Sequence, residues 1–255
     1  MAEKTLEALV NTQFGAQAGA YLTSPVHAQG PDLEALVAQV AGKSEARVLD
    51  LGCGGGHVSF AVAKQVREVV AYDLSSDMLA VVAQAARERG LGNISTQQGV
   101  AEKLPFAEAS FDYVFSRYSA HHWRDLDLGL REAARVLKPG GIAGFVDTVV
   151  PARPLLDTFL QTVELLRDPS HVRDYSRAEW LAMIGRAGLN PGRASEHRVR
   201  LEMRSWLERM RTSPAQAEAI RALESAMSAD VTRHFAIETD GSFTIDVLTV
   251  FATKP

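Results

Sequence analysis

Between Val48 and Phe60 the chain reads VLDLGCGGGHVSF, an apolar run that meets an acid, Asp50, and then glycines at alternate positions, Gly52, Gly54 and Gly56. Val48, Leu49 and Leu51 suit a buried parallel strand, and Val58, Ala61 and Val62 recur at the spacing of one helical face. The glycines therefore fall at a strand-to-helix turn. There a Cβ would hold a ligand off the backbone, whereas glycine can take φ > 0 and let a ligand lie against exposed N–H groups. A turn that binds nothing needs one glycine and not three, so the stretch reads as the first strand, turn and helix of a nucleotide-binding α/β unit.

The choice of ligand follows from two departures. A dinucleotide fingerprint, G-x-G-x-x-G, would place glycine at His57 for close helix packing, and the match fails there. Asp50, just before the loop, would face a pyrophosphate unfavourably but suits a ligand carrying an ammonium group. The motif D-x-G-x-G-x-G after a strand resembles the first motif of class I S-adenosylmethionine-dependent methyltransferases. The resemblance implies S-adenosyl-L-methionine as cofactor, held by Asp50, Gly52, Gly54 and Gly56, with Cys53 as a small residue filling the turn.

At 255 residues, 46% apolar and 23% charged, the chain can bury a full core as one large domain or one domain with an inserted cap. A net charge of -4 supplies no basic field, which argues against non-specific nucleic-acid binding. The single cysteine excludes an internal disulfide. The N-terminal MAEKTLEALV lacks the apolar core of a signal peptide and no later run approaches a membrane span, so a cytoplasmic monomer or homodimer is expected. No residue is assigned to a metal.

Residues 3–23 carry apolar side chains at helical spacing before Ser24-Pro25. This is either a plain amphipathic helix on the core or a lid over the cofactor mouth that brings Tyr21 and His27 to the ligand. Gly30-Pro31-Asp32 starts a second helix. The run Val69 to Tyr72 ends at Asp73, where an acid closing the second strand receives ribose hydroxyls, and Ser75 suits the N-cap of the next helix. Leu74 and Met78 then lie beside the adenine. The segment Gly99 to Phe106, GVAEKLPF, resembles the family's G-D-A-x-x-L-P-F, in which an acid contacts the adenine amino group. Val100 stands at the acid's position, which leaves Glu102 or the Ala101 backbone N–H to read the base.

FDYVFS, Phe111 to Ser116, is the fourth strand, and its end, Ser116 and Arg117, joins the cofactor-binding set. The following loop holds His121 and His122, either of which could take a proton from an acceptor or simply pack beneath the next helix. The Asn/Asp-Pro-Pro-aromatic and Pro-Cys signatures of nucleic-acid methyltransferases are absent here. REAARVLKPGG closely resembles the approach to the fifth strand in small-molecule methyltransferases of ubiquinone and menaquinone biosynthesis: helix stop, tight turn, then strand 142–150.

Past Pro151 the pattern turns helical, with a capping box at Ser176 and Glu179, a helix start at Ser205 and another at Ser213-Pro214. Two late strands, Arg193 to Leu201 and Phe243 to Phe251, suit an antiparallel pair at the sheet's edge. Arg117, Arg153, Arg167, Arg173 and His171 are candidates to favour an anionic acceptor, although solvation is the commoner fate of arginine.

The expectation is an α/β fold: a Rossmann-like seven-stranded methyltransferase sheet with helices on both faces and a helical cap. Residues 1–150 form the cofactor-binding core with its lid helix, and 151–255 complete the sheet with a cap from 151–190 and 202–240, as one structural domain. The function implied is methyl transfer to a small-molecule acceptor. The alternatives are a cofactor-binding sensor or partner protein without transfer, and an NAD-dependent oxidoreductase.

Overall fold

The computed structural model describes residues 5–15 and 29–255. Tyr21 and His27 lie outside the described residues, and of the helix expected over 3–23 the described part is α1, Leu6–Gly15.

Strand β1, Arg47–Leu51, pairs in parallel with β2, Glu68–Asp73, on one side and β4, Phe111–Arg117, on the other. Its side chains alternate between two cores, as a strand covered on both faces requires. Val48 packs with α2, Pro31–Gln39, and α3, His57–Val62. Leu49 and Leu51 pack with α5, Leu126–Val136. Helix α4, Ser76–Glu88, leads from β2 to β3, Ile94–Gln98, which pairs outside β2. On the far side, β5, Leu137–Val150, is followed by β8, Phe243–Thr253, and then β7, Asn190–Leu201.

The order is β3-β2-β1-β4-β5-β8-β7, and β8 runs antiparallel to both of its neighbours. Seven strands thus stand in the expected arrangement, with a two-residue strand, β6, Tyr175–Ser176, added on Val149 and Val150. The chain leaves β1 toward β2 and β3, then returns to its other side at β4. This reversal opens a crevice at the carboxyl ends of β1 and β4, where ligands bind in open α/β sheets.

Three local expectations change. Lys138-Pro139-Gly140-Gly141 is no tight turn between helix and strand: Leu137 already pairs with Phe111, and the segment is a bulge inside β5 before pairing resumes at Ile142 and Tyr113. Lys254 pins it from the C-terminus, accepting from the Gly140 N–H at 2.8 Å and donating its own N–H to Gly141 O at 3.1 Å. Helix α8, Met203–Arg209, starts before Ser205 because the Glu202 carboxylate accepts from the N–H groups of Arg204 and Ser205 at 3.1 and 2.7 Å. Helix α7, Arg177–Arg186, expected in the cap, buries Trp180, Met183 and Ile184 on the sheet face shared with Leu130 and Ala133.

The cap is therefore α6, Pro154–Arg167, with α8, α9, Pro214–Ala226, and α10, Ala229–His234. Leu156, Phe159, Leu160 and Val163 of α6 bury against Trp206, Ile220, Val231 and Phe235, so the cap shares its core with α2 and α3. Among the described residues no helix is long and apolar enough to cross a membrane.

Ser176 caps α7 in a complete capping box, with its Oγ accepting from the Glu179 N–H and the Glu179 carboxylate accepting from the Ser176 N–H at 2.7 Å. Ser176→Ala is expected to lower unfolding free energy by about 1 kcal/mol, read from urea denaturation, because two helix-end donors lose their geometry.

Candidate functional site

The turn after β1 is shaped by what each glycine meets. A Cβ on Gly52, at φ +73°, would stand 1.8 Å from Ser119 Oγ, so the loop after β4 presses directly on this backbone. Gly56, at φ +78°, is the left-handed N-cap of α3. At Gly54 the space beyond the backbone is open: no atom lies within 4 Å of where a Cβ would be. That space belongs to a cleft lined by Asp50, Gly52, Cys53, Gly54, Asp73 and Met78, and α1 adds Leu6, Val10 and Phe14. With the solvent at its mouth the cleft encloses about 1090 Å³, room for a cofactor-sized molecule.

Asp50 is 1% exposed and ties the strand to the helix: its Oδ2 accepts from the Ser59 N–H at 2.9 Å and from Ser59 Oγ at 2.6 Å. Burial pushes its carboxyl up to about 6; the Ser59 bonds oppose the shift, Asp73 adds to it and Arg117 counters it. At the end of β2, Asp73 Oδ2 accepts from the Gly54 N–H at 2.8 Å and Oδ1 from the Ser75 N–H at 2.8 Å. Burial raises its pKa against those backbone bonds. Ser75 caps α4, as its sequence position predicted, so Asp73 keeps its carboxylate on the cleft wall.

Leu74, Val100, Ala101 and Glu102 line the same cleft. The Glu102 Oε1 accepts from the Asp125 N–H at 3.2 Å, so this acid is partly committed to the start of α5. Ser116 is not on the wall. Strand alternation turns Ser116 to the α5 face, opposite Phe115 and Arg117, and buries it. Arg117 does reach the cleft, but its guanidinium is buried in an ion pair with Asp32 of α2.

A second cavity, about 710 Å³ with its solvent, adjoins the first beneath the cap. Phe14, Tyr118 and His122 line both. Tyr118 holds φ +52°, a left-handed backbone uncommon for an aromatic residue and typical of functional sites. The Phe14 and His122 rings meet edge to face at 4.9 Å. One wall of this cavity is apolar, with Leu201, Trp206, Met210 and Ile245, while the other carries Glu164, Asp168, Asp174 and His121.

The two histidines differ sharply. His121 Nδ1 sits 2.6 Å from Asp147 Oδ1. Burial alone would depress this imidazole, but Asp147, helped by Asp174 and Glu164, raises it to about 9. His122 Nδ1 lies 3.1 Å from the Ser170 carbonyl, and its Nε2 lies 3.9 Å from Asp168 Oδ2. Burial first, and then the charge on His121, lowers it to about 4. His171 is buried against Gln161 Oε1 at 2.9 Å and is lowered to about 3 by burial and by His121.

The arginines expected to favour an anion each face an acid. Arg153 pairs with Asp230 at 3.4 Å, Arg167 with Glu164 at 3.3 Å and Arg173 with Asp157 at 3.0 Å. The sequence reading missed Tyr118, Asp147, Asp168 and Asp174. Asp168 and Asp174 flank the Ser170-His171 loop, and this clustering of acids around a histidine was the available signal.

A family model described as "Methyltransferase domain" matches residues 49–145. YafE of Escherichia coli, described as uncharacterized, is 50% identical over 80% of this chain and 98% of its own length. YcgJ of Bacillus subtilis, described as an uncharacterized methyltransferase, is 39% identical over 81% of each chain. The crystal structure of YcgJ superposes with a TM-score of 0.84 at 34% identity, over 88% of this chain and 97% of its own. The glycine-rich turn, the strand order and these relatives agree, and the chain belongs to the methyltransferase family with a Rossmann-like fold.

Proposed function

We propose that the chain transfers a methyl group from S-adenosylmethionine to a small molecule held in the second cavity. The observation that carries this reading is the junction at Phe14, Tyr118 and His122, where a cofactor-sized cleft opens onto a cavity of different chemistry. The cleft suits the cofactor: Gly54 leaves open space at the wall, Asp73 offers a carboxylate to the ribose hydroxyls, and Asp50 offers one to the ammonium group. Leu74 and Met78 would flank the adenine, with Ala101 and Glu102 beside them on the cleft wall. When bound, the sulfonium supplies a methyl group already activated for transfer.

The protein's own contribution is alignment and exclusion of water. Leu6, Val10 and Phe14 of α1 cover the cleft with apolar surface. The acceptor's apolar body packs on Leu201, Trp206, Met210 and Ile245, which turns its reacting end toward the junction. His122 holds its Nδ1 toward Ser170 O, and burial together with the charge on His121 keeps the ring neutral near pH 7, which leaves Nε2 as a proton-accepting atom at the junction for an acceptor that must lose a proton. A demethylmenaquinone methyltransferase of Chlorobaculum parvum, 39% identical over 46% of this chain and 47% of its own, supports a flat, apolar acceptor. The family assignment leaves the oxidoreductase alternative without support.

The direct test incubates the purified protein and isotopically labelled S-adenosylmethionine with a metabolite extract. One labelled small-molecule product is expected by mass spectrometry. Tight binding of the cofactor with no labelled product would point instead to a sensor. Two variants probe the cleft. Asp73→Ala is expected to weaken cofactor binding at least tenfold in calorimetry, since charge-assisted hydrogen bonds contribute about 1.5–3 kcal/mol each. Gly54→Val is expected to fold, at a cost of about 1–2 kcal/mol for its left-handed backbone, yet to lose binding because its side chain fills the open space.

A pH dependence follows from Asp50. Its raised pKa means that the folded protein without cofactor holds a proton there below about 6, whereas an ammonium ligand favours the ionised form. Affinity is therefore expected to fall roughly tenfold between pH 7 and pH 5 as Asp50 protonates. Asp50→Asn is expected to weaken binding and flatten this profile; an unchanged profile would remove Asp50 from cofactor recognition.

A further inference from the structure

The second cavity carries more acid than methyl transfer uses. His121, Asp147 and Asp174 bring one imidazole nitrogen and two carboxylate oxygens within 4.8 Å of one another. Both acids are sealed, Asp147 at 3% exposure and Asp174 at 2%. Asp147 is spoken for on all sides: Oδ1 faces His121 Nδ1 and accepts from the Thr148 N–H at 2.9 Å, and Oδ2 accepts from the His121 N–H at 3.2 Å. Asp174 is different. Its buried Oδ2 makes no hydrogen bond among the described residues, and the nearest basic atom paired with it, His171 Nε2, stands 4.0 Å away and is engaged with Gln161 Oε1.

A sealed carboxylate oxygen without a donor is costly, and native structures rarely keep one without an ion or other partner. The surroundings do not supply that partner. Glu164 and Asp168 add two more acids to the same cavity, and Asp168 Oδ2 is also buried without a hydrogen bond; of the two arginines on the wall, Arg167 is turned to Glu164 and to the carbonyl of Trp206, and neither it nor Arg209 donates to Asp174 Oδ2. A small cation would give the Asp174 oxygen the partner it lacks.

We propose that His121, Asp147 and Asp174 bind one divalent transition-metal ion, of the zinc or manganese class, at the wall of the second cavity that His121 and Asp174 line. One imidazole with two carboxylates is a donor set suited to these ions, which bond to such nitrogens and oxygens at about 2.0–2.2 Å. Seating the ion displaces to solvent the proton between His121 and Asp147 and the one that burial favours on Asp174, and it opens the 2.6 Å contact by under about 1 Å. The outer partners are already in place. The Thr148 N–H orients Asp147, while Gln161 holds the Asp174 backbone by donating to its carbonyl at 2.6 Å and accepting from its N–H at 3.2 Å.

Three protein ligands leave positions open toward the cavity, where an oxygen of a bound molecule would bind the ion and lose its proton more readily. Occupancy of the site does not depend on methyl transfer, so the two proposals fail separately.

The test uses the full-length protein, stripped of metal and free of S-adenosylmethionine, titrated with Mn2+ under electron paramagnetic resonance and with Zn2+ against a chromophoric chelator. One equivalent per chain is expected, and Asp174→Asn and His121→Gln are each expected to weaken binding by about tenfold or more. Binding of less than a fifth of an equivalent by the wild-type protein, or unchanged affinity in a folded Asp174→Asn variant, would overturn the assignment. Should both variants fail to fold, Co2+ added to the wild-type protein decides the matter. A visible absorption band with histidine resonances shifted by the paramagnetic ion supports the site, and their absence rejects it.

Discussion

Everything at the functional end of this molecule depends on a carboxylate buried where strand becomes helix. Asp50 gives one oxygen to both the N–H and the hydroxyl of Ser59, so β1 and α3 are fixed to each other across the glycine turn rather than merely joined by it. With that angle set, Gly52 can meet the loop after β4, and the Gly54 N–H can meet the carboxylate that ends β2. The cleft is what remains between these contacts. Burying an acid is unfavourable, and the carboxyl's rise to about 6 records that cost. A cationic ligand is the natural compensation, and the proposed function would have the same residue serve both architecture and recognition.

The second organising fact is a division of labour within the sheet. The parallel half, β3 to β5, carries the cleft, and the antiparallel pair β7 and β8 carries the cavity beside it through Leu201 and Ile245. The cap shares its core with α2 and α3, so the far cavity is roofed by helices that belong to the same packed body as the glycine turn. The lining that 154–234 gives this cavity comes from elements outside the glycine turn.

The sequence revealed most where local physics decides. Val48 to Phe60 announced its strand, turn and helix because the alternation of faces and the glycine spacing are both short-range properties. Ser75, Ser176 and Ser213 announced helix starts because capping acts over three residues. Reading failed where a distant partner decides. Ser116 is a different failure: it looked like a strand-end ligand residue, although the alternation counted from Phe115 already turns it to the other face. Lys138 to Gly141 looked like a turn, and it becomes a bulge because the far C-terminus, Lys254, pins it. The acids Asp147, Asp168 and Asp174 are separated along the chain from His121 and His122, and no periodicity joins them; the fold alone brings them together.

Helix α1 adds a consequence of its own. Phe14 belongs to the walls of both chambers and touches His122 between them. A molecule that displaced that ring from the far chamber would change the wall of the near one directly. The ten residues of α1 thus set one aromatic ring on the boundary of both rooms.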